Sequence, residues 1–570
     1  MDNTIRPLQF NAVQKQGDLS MKPESHEKEG PSEGSRDDSV SISRPDATQE
    51  PPRKIKVNIL PQSPAVTTAK TVDFPQDQIG STVSNNRMQM VDKSNPKAIP
   101  DLEGNYLYEV GTPQFDQVNA FATAARGMEM AEKFRGSSIN WAFSSKLSIL
   151  PHKQEGKNAY YSRQDRSANF FFFKSPPLDK VVQTSEDPDI VIHEIVGHGA
   201  LDGIRPQYLG WDSETMGTHE AYSDIAAMNY ALHDEGNIKL LLEQNGGNFR
   251  NESLVSRLGE EFGKAIHLED QKPENDNQLY LRSMLNKFTY ADPDSLPDTH
   301  DPDQLSGESH SFSRVLSGAC YDLIDGLYQK NLPGSKDQTE AVVKARDTFG
   351  DLFYKAIDLA PQTKCKYKDV ALGMIKADRL KNGGSNEQEI RKAFLDRKII
   401  TESDISKLDA HMEALPSVRL KKSPSTAQDV QKFLEAHGGS LGVPDGLTLK
   451  LTEIARGKNG DTTVSLQFTE EMPLSGKEFG KYEGYVVDVN GGLTIAFDKS
   501  GNLVDATFDS IDEEKKQDVR NGVLNCIKKD LVTEQSKSDS IFKTDTEIYQ
   551  GLATSTPDGK KKIMRIPVVS

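Results

Sequence analysis

The chain is 570 residues long with a formal net charge of −17, and its composition is 35% hydrophobic and 27% charged. Such a length exceeds one hydrophobic core, so roughly two or three domains are expected. A mean hydropathy of −0.62 goes with a soluble, polar chain, and no run approaches the roughly 18 apolar residues of a membrane span. The acidic balance argues against a nucleic-acid partner, whose phosphates need clustered Lys and Arg.

The first ten residues, M-D-N-T-I-R-P-L-Q-F, show no positive stretch followed by an apolar core, so no secretory signal is visible. Synthesis in the cytoplasm is expected, and any export would use a route outside the ordinary signal peptide. Cys320, Cys365 and Cys526 are widely spaced; they form neither a disulfide framework nor a C-x-x-C metal pair.

The first hundred residues hold only two aromatics, Phe10 and Phe74, among many Ser, Pro, Asp, Glu and Lys. Burying so little apolar surface would not offset the ordering entropy, and residues 1–104 are expected to be disordered. A translocation signal, a pro-segment, a tether or a passive tail would each suit such a segment.

Folding signals begin near Tyr106. Val118, Phe121, Ala125 and Met128 recur at helical spacing, and Gly136 follows as a stop. Short strand-like runs come next: W-A-F around Trp141, L-S-I-L ending at Leu150, N-A-Y-Y at Asn158 to Tyr161, and the four phenylalanines Phe170 to Phe173. From His193 to about Ala414 the pattern is mainly helical, apart from an acidic, Pro-containing loop between Tyr290 and Glu308. A basic Ser/Pro linker at Leu415 to Ser425 leads into alternating segments such as T-T-V-S-L-Q-F and L-T-I-A-F. These read as strands of a separate module, with D-K-S-G-N at Asp498 to Asn502 as a hairpin turn.

The expected fold class is therefore α+β. A catalytic domain over 105–414 would combine a mixed-sheet part with a mainly helical part, and 415–570 would form a small α+β C-terminal module.

Chemistry concentrates in V-I-H-E-I-V-G-H-G-A, where Glu194 lies between His193 and His198. Two imidazoles with an adjacent carboxylate suit a metal site with its own general base. The histidines are five residues apart, where the usual zinc-helix motif H-E-x-x-H has four. On a regular helix a four-residue step leaves ligands about 40° apart and a five-residue step about 140°, too far to share one ion. A single wide turn, a π-bulge, would restore the alignment, and Gly197 and Gly199 would ease it by tolerating unusual backbone angles.

Hydrolytic zinc takes three protein ligands and one open position. Glu220 is the best third ligand, because Asp224 lies four residues on, on the same helical face. Asp224 would hydrogen-bond the second nitrogen of a histidine ligand. His219 is a rival ligand pointing away from that face.

Glu220-Ala221-Tyr222-Ser223-Asp224 resembles the E-A-x-S-D segment of the thermolysin-like zinc metallopeptidases, the gluzincins. Three further segments follow that family's order: Asn158-Ala159-Tyr160-Tyr161, Leu281-Arg282-Ser283-Met284, and Ser309-His310 with Ser313 and Tyr321. The longer zinc helix, H-E-I-V-G-H, is similar to the H-E-L-L-G-H of the dipeptidyl peptidase III family.

The resemblance implies a thermolysin-like peptidase domain with one Zn2+ on His193, His198 and Glu220, and Glu194 as general base. It also implies His310 and Tyr208 as donors to the oxyanion, and Asn158, Ala159 and Arg282 as contacts for a protein or peptide substrate. In the family an aspartate orients the oxyanion histidine; Leu305 stands at that position here, with Asp303 and Glu308 nearby, and the role is unassigned.

Asp292, Asp294, Asp298, Asp301 and Asp303 are numerous enough for a Ca2+ site, but an acidic loop is the plainer reading. Two other functions stand beside the peptidase. One is a catalytically inactive scaffold that recognises a partner; the other is an exported effector whose C-terminal module binds the target.

Overall fold

A computed structural model describes residues 53–269, 279–297, 303–457, 459–534 and 549–569. It shows a mixed α+β chain with sheets at both ends and a helical middle region.

Order begins earlier than composition suggests. Strands β1 (Lys54–Ile59) and β2 (Lys70–Pro75) pair antiparallel, and β3 (Met88–Met90) follows. Ile55, Val57, Ile59 and Phe74 are buried in the main core, and Asn119 accepts the backbone N–H of Leu60 at 2.8 Å. The expected disorder of 1–104 is thus corrected for 53–104; residues 1–52 lie outside the described residues. Counting aromatics missed the alternation I-K-V-N-I, whose β-branched side chains bury one strand face without any aromatic.

Helix α1 (Pro113–Arg135) runs through this core. Thr112 caps it by accepting from Phe115 N, Pro113 fits the first helical position, and Gly136 ends it in the left-handed conformation at φ 81°. Next come β4 (Leu147–Leu150), β5 (Ala159–Ser162) and β6 (Ser167–Phe170), then the hairpin of β7 (Phe172–Ser175) and β8 (Lys180–Gln183).

Two expected strands take other forms. The segment around Trp141 is irregular, because the backbone at Asn140 closes against Gly203: a Cβ there would lie 1.9 Å from the Asn140 carbonyl oxygen. The phenylalanine run is split, since β6 ends at Phe170 and β7 starts at Phe172. Between them Phe171 packs on Tyr160 in a small separate cluster.

The helical region comprises α2 (Pro188–Ile192), α3 (Ala200–Ile204), α4 (Ser213–Ala231), α5 (Glu235–Asn245), β9 (Arg257–Leu258), α6 (Glu260–Glu269), β10 (Arg282–Ser283), α7 (Ser309–Asn331), α8 (Gln338–Leu359), α9 (Tyr367–Asn382), α10 (Glu387–Asp396) and α11 (Glu402–Ala414). Among the described residues, no helix is long and apolar enough to cross a membrane.

Beyond it lie α12 (Ala427–His437), strands β11 (Lys450–Arg456), β12 (Thr462–Pro473), β13 (Val486–Phe497) and β14 (Leu503–Asp509), and α13 (Glu513–Lys528). The chain continues with β15 (Val532–Glu534), β16 (Gly551–Ser555), β17 (Lys561–Arg565) and β18 (Val568–Val569). Strands β11 to β17 make one sheet. It is joined to the helical region by buried polar contacts, including Lys355 Nζ to Asp461 at 2.6 Å and Gln362 Nε2 donating to Thr494 Oγ1 at 2.7 Å. Strand β18 leaves that sheet and becomes the outer strand of the other one, in the order β18-β5-β6-β4-β3.

Candidate metal centre

The segment between α2 and α3 carries the expected wide turn. Asp187 caps α2 by accepting from Asp189 N, and Pro188 occupies the first helical position. His193–Gly199 then forms a π-helix, with Ala200 N bonding back to Ile195 O, before α3 restores the ordinary pitch. The i→i+5 bonding of a π turn stacks residues five apart, so the rings of His193 and His198 come together at 4.6 Å between centroids.

The two glycines act differently from expectation. Gly199 has helical angles, φ −65° and ψ −44°, and Gly197 is absent from the positive-φ set. Their value is in packing. A Cβ on Gly197 would sit 2.5 Å from the Cα of Ser223, so only glycine lets this turn lie against α4.

Helix α4, capped by Asp212, presents Glu220 and Asp224 to the histidines. His193 Nε2 lies 3.0 Å from His198 Nε2 and 3.3 Å from Glu220 Oε2, while His198 Nε2 is 3.6 Å from Glu220 Oε1. All three residues are buried. Ligand bonds of about 2.0–2.1 Å around a tetrahedral ion set the ligand atoms roughly 3.3 Å apart, and these separations straddle that value. Buried Glu220 Oε2 makes no well-aligned hydrogen bond among the described residues, although two imidazole nitrogens, of His193 and His310, lie 3.3 Å from it. The donor set, two imidazoles and a carboxylate, could hold a metal ion. It is the one such group among the described residues, so Asp292, Asp294 and Asp303 form no calcium-like cluster; Asp298 and Asp301 lie outside those residues. Asp498 accepts from Ser500 N and Asn502 N in a plain turn.

The outer nitrogens of the histidines are also held. His193 Nδ1 meets Asp224 Oδ1 at 2.9 Å, and Asp224 takes a two-pronged bond from Arg282 at 3.0 and 2.8 Å. Burial alone would raise Asp224, but Arg282 and His193 hold it well below the usual carboxylate range. Burial opposes charge on His193, yet Asp224 and Glu220 carry its pKa up to about 10.

His219 is a neighbour of the centre and does not join the ligand set. Its Nδ1 lies 2.7 Å from His198 Nδ1, with Ser223 Oγ at 3.1 Å from the same nitrogen. Burial drives His198 well below its ordinary pKa and His219 down to about 3. The spacing of His219 and Ser223 on α4 carried no warning of this role, which depends on the five-residue step bringing His198 round.

Glu194 lies on the cavity side of the turn. Burial pushes its carboxyl up to about 8, against the pull of the neighbouring His193 charge, and its Oε2 has no partner among the described residues. The cavity, about 360 Å³, is lined by His193, Glu194, Asn158, Ala159, Arg282 and His310, with an apolar wall that includes Ile190 and Phe262. Asn158 Oδ1 accepts the N–H of Ala159 at 2.8 Å. Arg282 sits on strand β10 and is committed to Asp224 while lining this space.

His310 is the second residue of α7 and points its Nε2 at Glu220 Oε2, 3.3 Å away. Of the two acids near Leu305, Glu308 is the one that meets this ring: its Oε1 is 2.7 Å from His310 Nδ1. Glu308 is also the N-cap of α7, accepting from the backbone N–H of His310 and Ser311. Burial opposes the charge on His310, but Glu220 and Glu308 carry it up to about 9. An acidic residue just ahead of an apolar-periodic run is a helix-start signal, and that signal could have singled out Glu308.

Tyr208 requires correction. It is fully buried, its hydroxyl donates to Pro361 O at 2.7 Å, and it does not line the cavity. Its distance from His198 in sequence suggested an oxyanion donor; the loop after α3 instead turns it towards the C-terminal end of α8.

No protein-family model matches the chain, and no curated protein does.

Proposed function

We propose that the protein is a zinc-dependent peptidase of thermolysin-like type with an expanded zinc helix. The observation that carries this reading is the convergence of His193 Nε2, His198 Nε2 and Glu220 at 3.0–3.6 Å, with Glu194 beside them facing a cavity. Zinc bound there would supply Lewis acidity, polarising a carbonyl and lowering the pKa of water.

The chain's own residues suit the remaining tasks. Glu194, lining the cavity beside His193, is placed to accept a proton from water, when its carboxyl is ionised, and to pass it to the leaving amine. His310, at the cavity with Nδ1 held by Glu308, is placed to donate from Nε2 to the negative charge that grows on the carbonyl oxygen. Glu308 fixes its ring. Asp224 fixes the ring of His193, and Arg282 fixes Asp224. Asn158 and Ala159 offer a strand edge to a peptide backbone, the usual way an extended peptide joins a sheet. A protein or peptide is the substrate this arrangement suits.

Elemental analysis of the purified chain should return about one zinc, and His198→Ala should lose it. Glu194→Ala should keep its zinc while peptide hydrolysis falls by roughly 10²–10⁴-fold. Hydrolysis that survives in Glu194→Ala would remove the mechanism. Full zinc with no turnover of any peptide would turn the reading towards a binding scaffold.

A further inference from the structure

The outer edge of the sheet beside the metal centre is only partly covered, and the chain itself supplies the cover. Strand β5 pairs along its whole length with β6, from Ala159↔Phe170 to Ser162↔Ser167. On that side Asn158 O accepts from Phe171 N. Backbone groups in an antiparallel pair alternate in direction, so those of Ala159 and Tyr161 face the opposite edge. There β18 pairs antiparallel, Val568 with Ser162 and Val569 with Tyr161, and Arg163 N donates to Pro567 O at 3.0 Å. In this register the next outward-facing position along β5 is Ala159, which lines the cavity with His193 and Glu194. Among the described residues, no strand pairs with Ala159 on that side; its N–H is held only by the Asn158 side chain, at 2.8 Å, which an incoming strand would displace.

The cover is anchored on both flanks. Ile566, just ahead of β18, is buried against Tyr160 and Phe171, and its N–H donates to Gln550 O at 2.9 Å. Arg565 donates from Nε to Gly210 O at 2.9 Å. On the other flank Tyr161 OH donates to Asp202 Oδ2 at 2.7 Å, and Arg163 also pairs with Asp202, so β5 is fixed to α3 and through it to the π turn.

We propose that β18 makes the peptide cleft one-ended. An exposed edge takes a further strand by backbone pairing. A peptide that adds at Ala159 lies in line with β18 and meets it within about two residues, or roughly 7 Å. It can run away from the metal centre in one direction only. The full chain therefore acts on short peptides or on residues near the end of a longer one, and attack on an internal bond requires β18 to leave Tyr161. This inference rests on the peptidase reading, and it names the substrate class that reading leaves open.

The test compares the zinc-loaded full chain with a chain ending at Pro567, which keeps Ile566 and Arg565, and with Val569→Pro, which removes the amide facing Tyr161. The probes are an alanine–leucine tripeptide and an alanine–leucine dodecapeptide blocked at both ends. Freeing the edge should raise kcat/KM for the blocked dodecapeptide by about tenfold or more and move cleavage to internal bonds, with the tripeptide changed by less than about twofold. Binding is read separately, by fluorescence anisotropy of the labelled dodecapeptide on the same chains carrying Glu194→Gln, and should tighten by about tenfold without β18. Equal affinity and identical cleavage maps in all chains would overturn the inference and leave the peptidase reading intact. Tighter binding without β18, but no cleavage by any chain, would overturn the peptidase reading and leave the one-ended cleft standing.

Discussion

Glu308 does two jobs with one carboxylate. It closes the first turn of α7 and it holds Nδ1 of His310 at 2.7 Å, so the helix start and the ring orientation are set by the same oxygen atoms. Burial alone would raise its pKa, but the charge and hydrogen bonds of His310 hold it well below the usual carboxylate range. The two roles can be separated. Glu308→Gln keeps an acceptor for the cap while removing the charge that favours protonated His310, and Glu308→Ala removes both. If Glu308 positions His310, Glu308→Gln should lower kcat by about 10–100-fold with KM and zinc content nearly unchanged. Glu308→Ala should add a loss of stability of about 1 kcal/mol from the missing cap. A Glu308→Gln chain with unaltered kcat would show that the contact is structural only.

At the scale of elements, the π turn is the feature on which the centre depends. The sequence made it legible, because the ligand types were plain and a five-residue step on an α-helix would have parted them. What it could not show was why glycine stands at 197: that follows from the approach of α4 at Ser223, a contact between segments distant in sequence. The same holds for the split of Phe170 to Phe173, which depends on Phe171 packing against Tyr160. A wide turn of this kind amounts to one residue inserted into an α-helix. Deleting Val196 would leave H-E-I-G-H with the four-residue step, and α2 and α3 would then run on as one regular helix. That shortened chain should lose stability, since Val196 is buried, but should still bind about one zinc by elemental analysis. Zinc lost while far-UV circular dichroism keeps its helical signal would mean that the wide turn aligns the ligands in a way no regular helix can.

Over the whole molecule, composition placed the helical middle and the β-rich C-terminal segment, but not how they close on each other. The N-terminal hairpin and β18 were both missed, each being short and each gaining its stability from a partner remote in sequence. Another long-range product is a seam of buried acids where the N-terminal segment, α1, the β8–α2 connection and α6 meet. His152 bridges Asp92 and Asp116 at 2.7 and 2.8 Å, and Glu186, Asp187, Asp189 and Glu260 lie beside them or next in line, all buried. Burial, with the charge of Asp116 adding to it, pushes Glu186 up to about 8, and burial with Asp187 does the same for Glu260. Asp187 rises to about 6, again mainly by burial. A carboxyl raised in the folded state holds its proton there after the unfolded chain has released its own, so the folded state binds more protons between the ordinary carboxylate range and about pH 8. The contribution of these acids to stability then falls as pH rises through that window, by about 1.4 kcal/mol per pH unit for each such proton. Urea unfolding midpoints should decline from about pH 5 to about pH 8.5. Both carboxyl oxygens of Glu260 lack a hydrogen-bond partner among the described residues, so Glu260→Gln, neutral at every pH, should raise the midpoint at the alkaline end and flatten the slope. A midpoint that climbs with pH, or a Glu260→Gln chain weaker than the parent at pH 8, would mean that these acids are ionised and compensated within the fold.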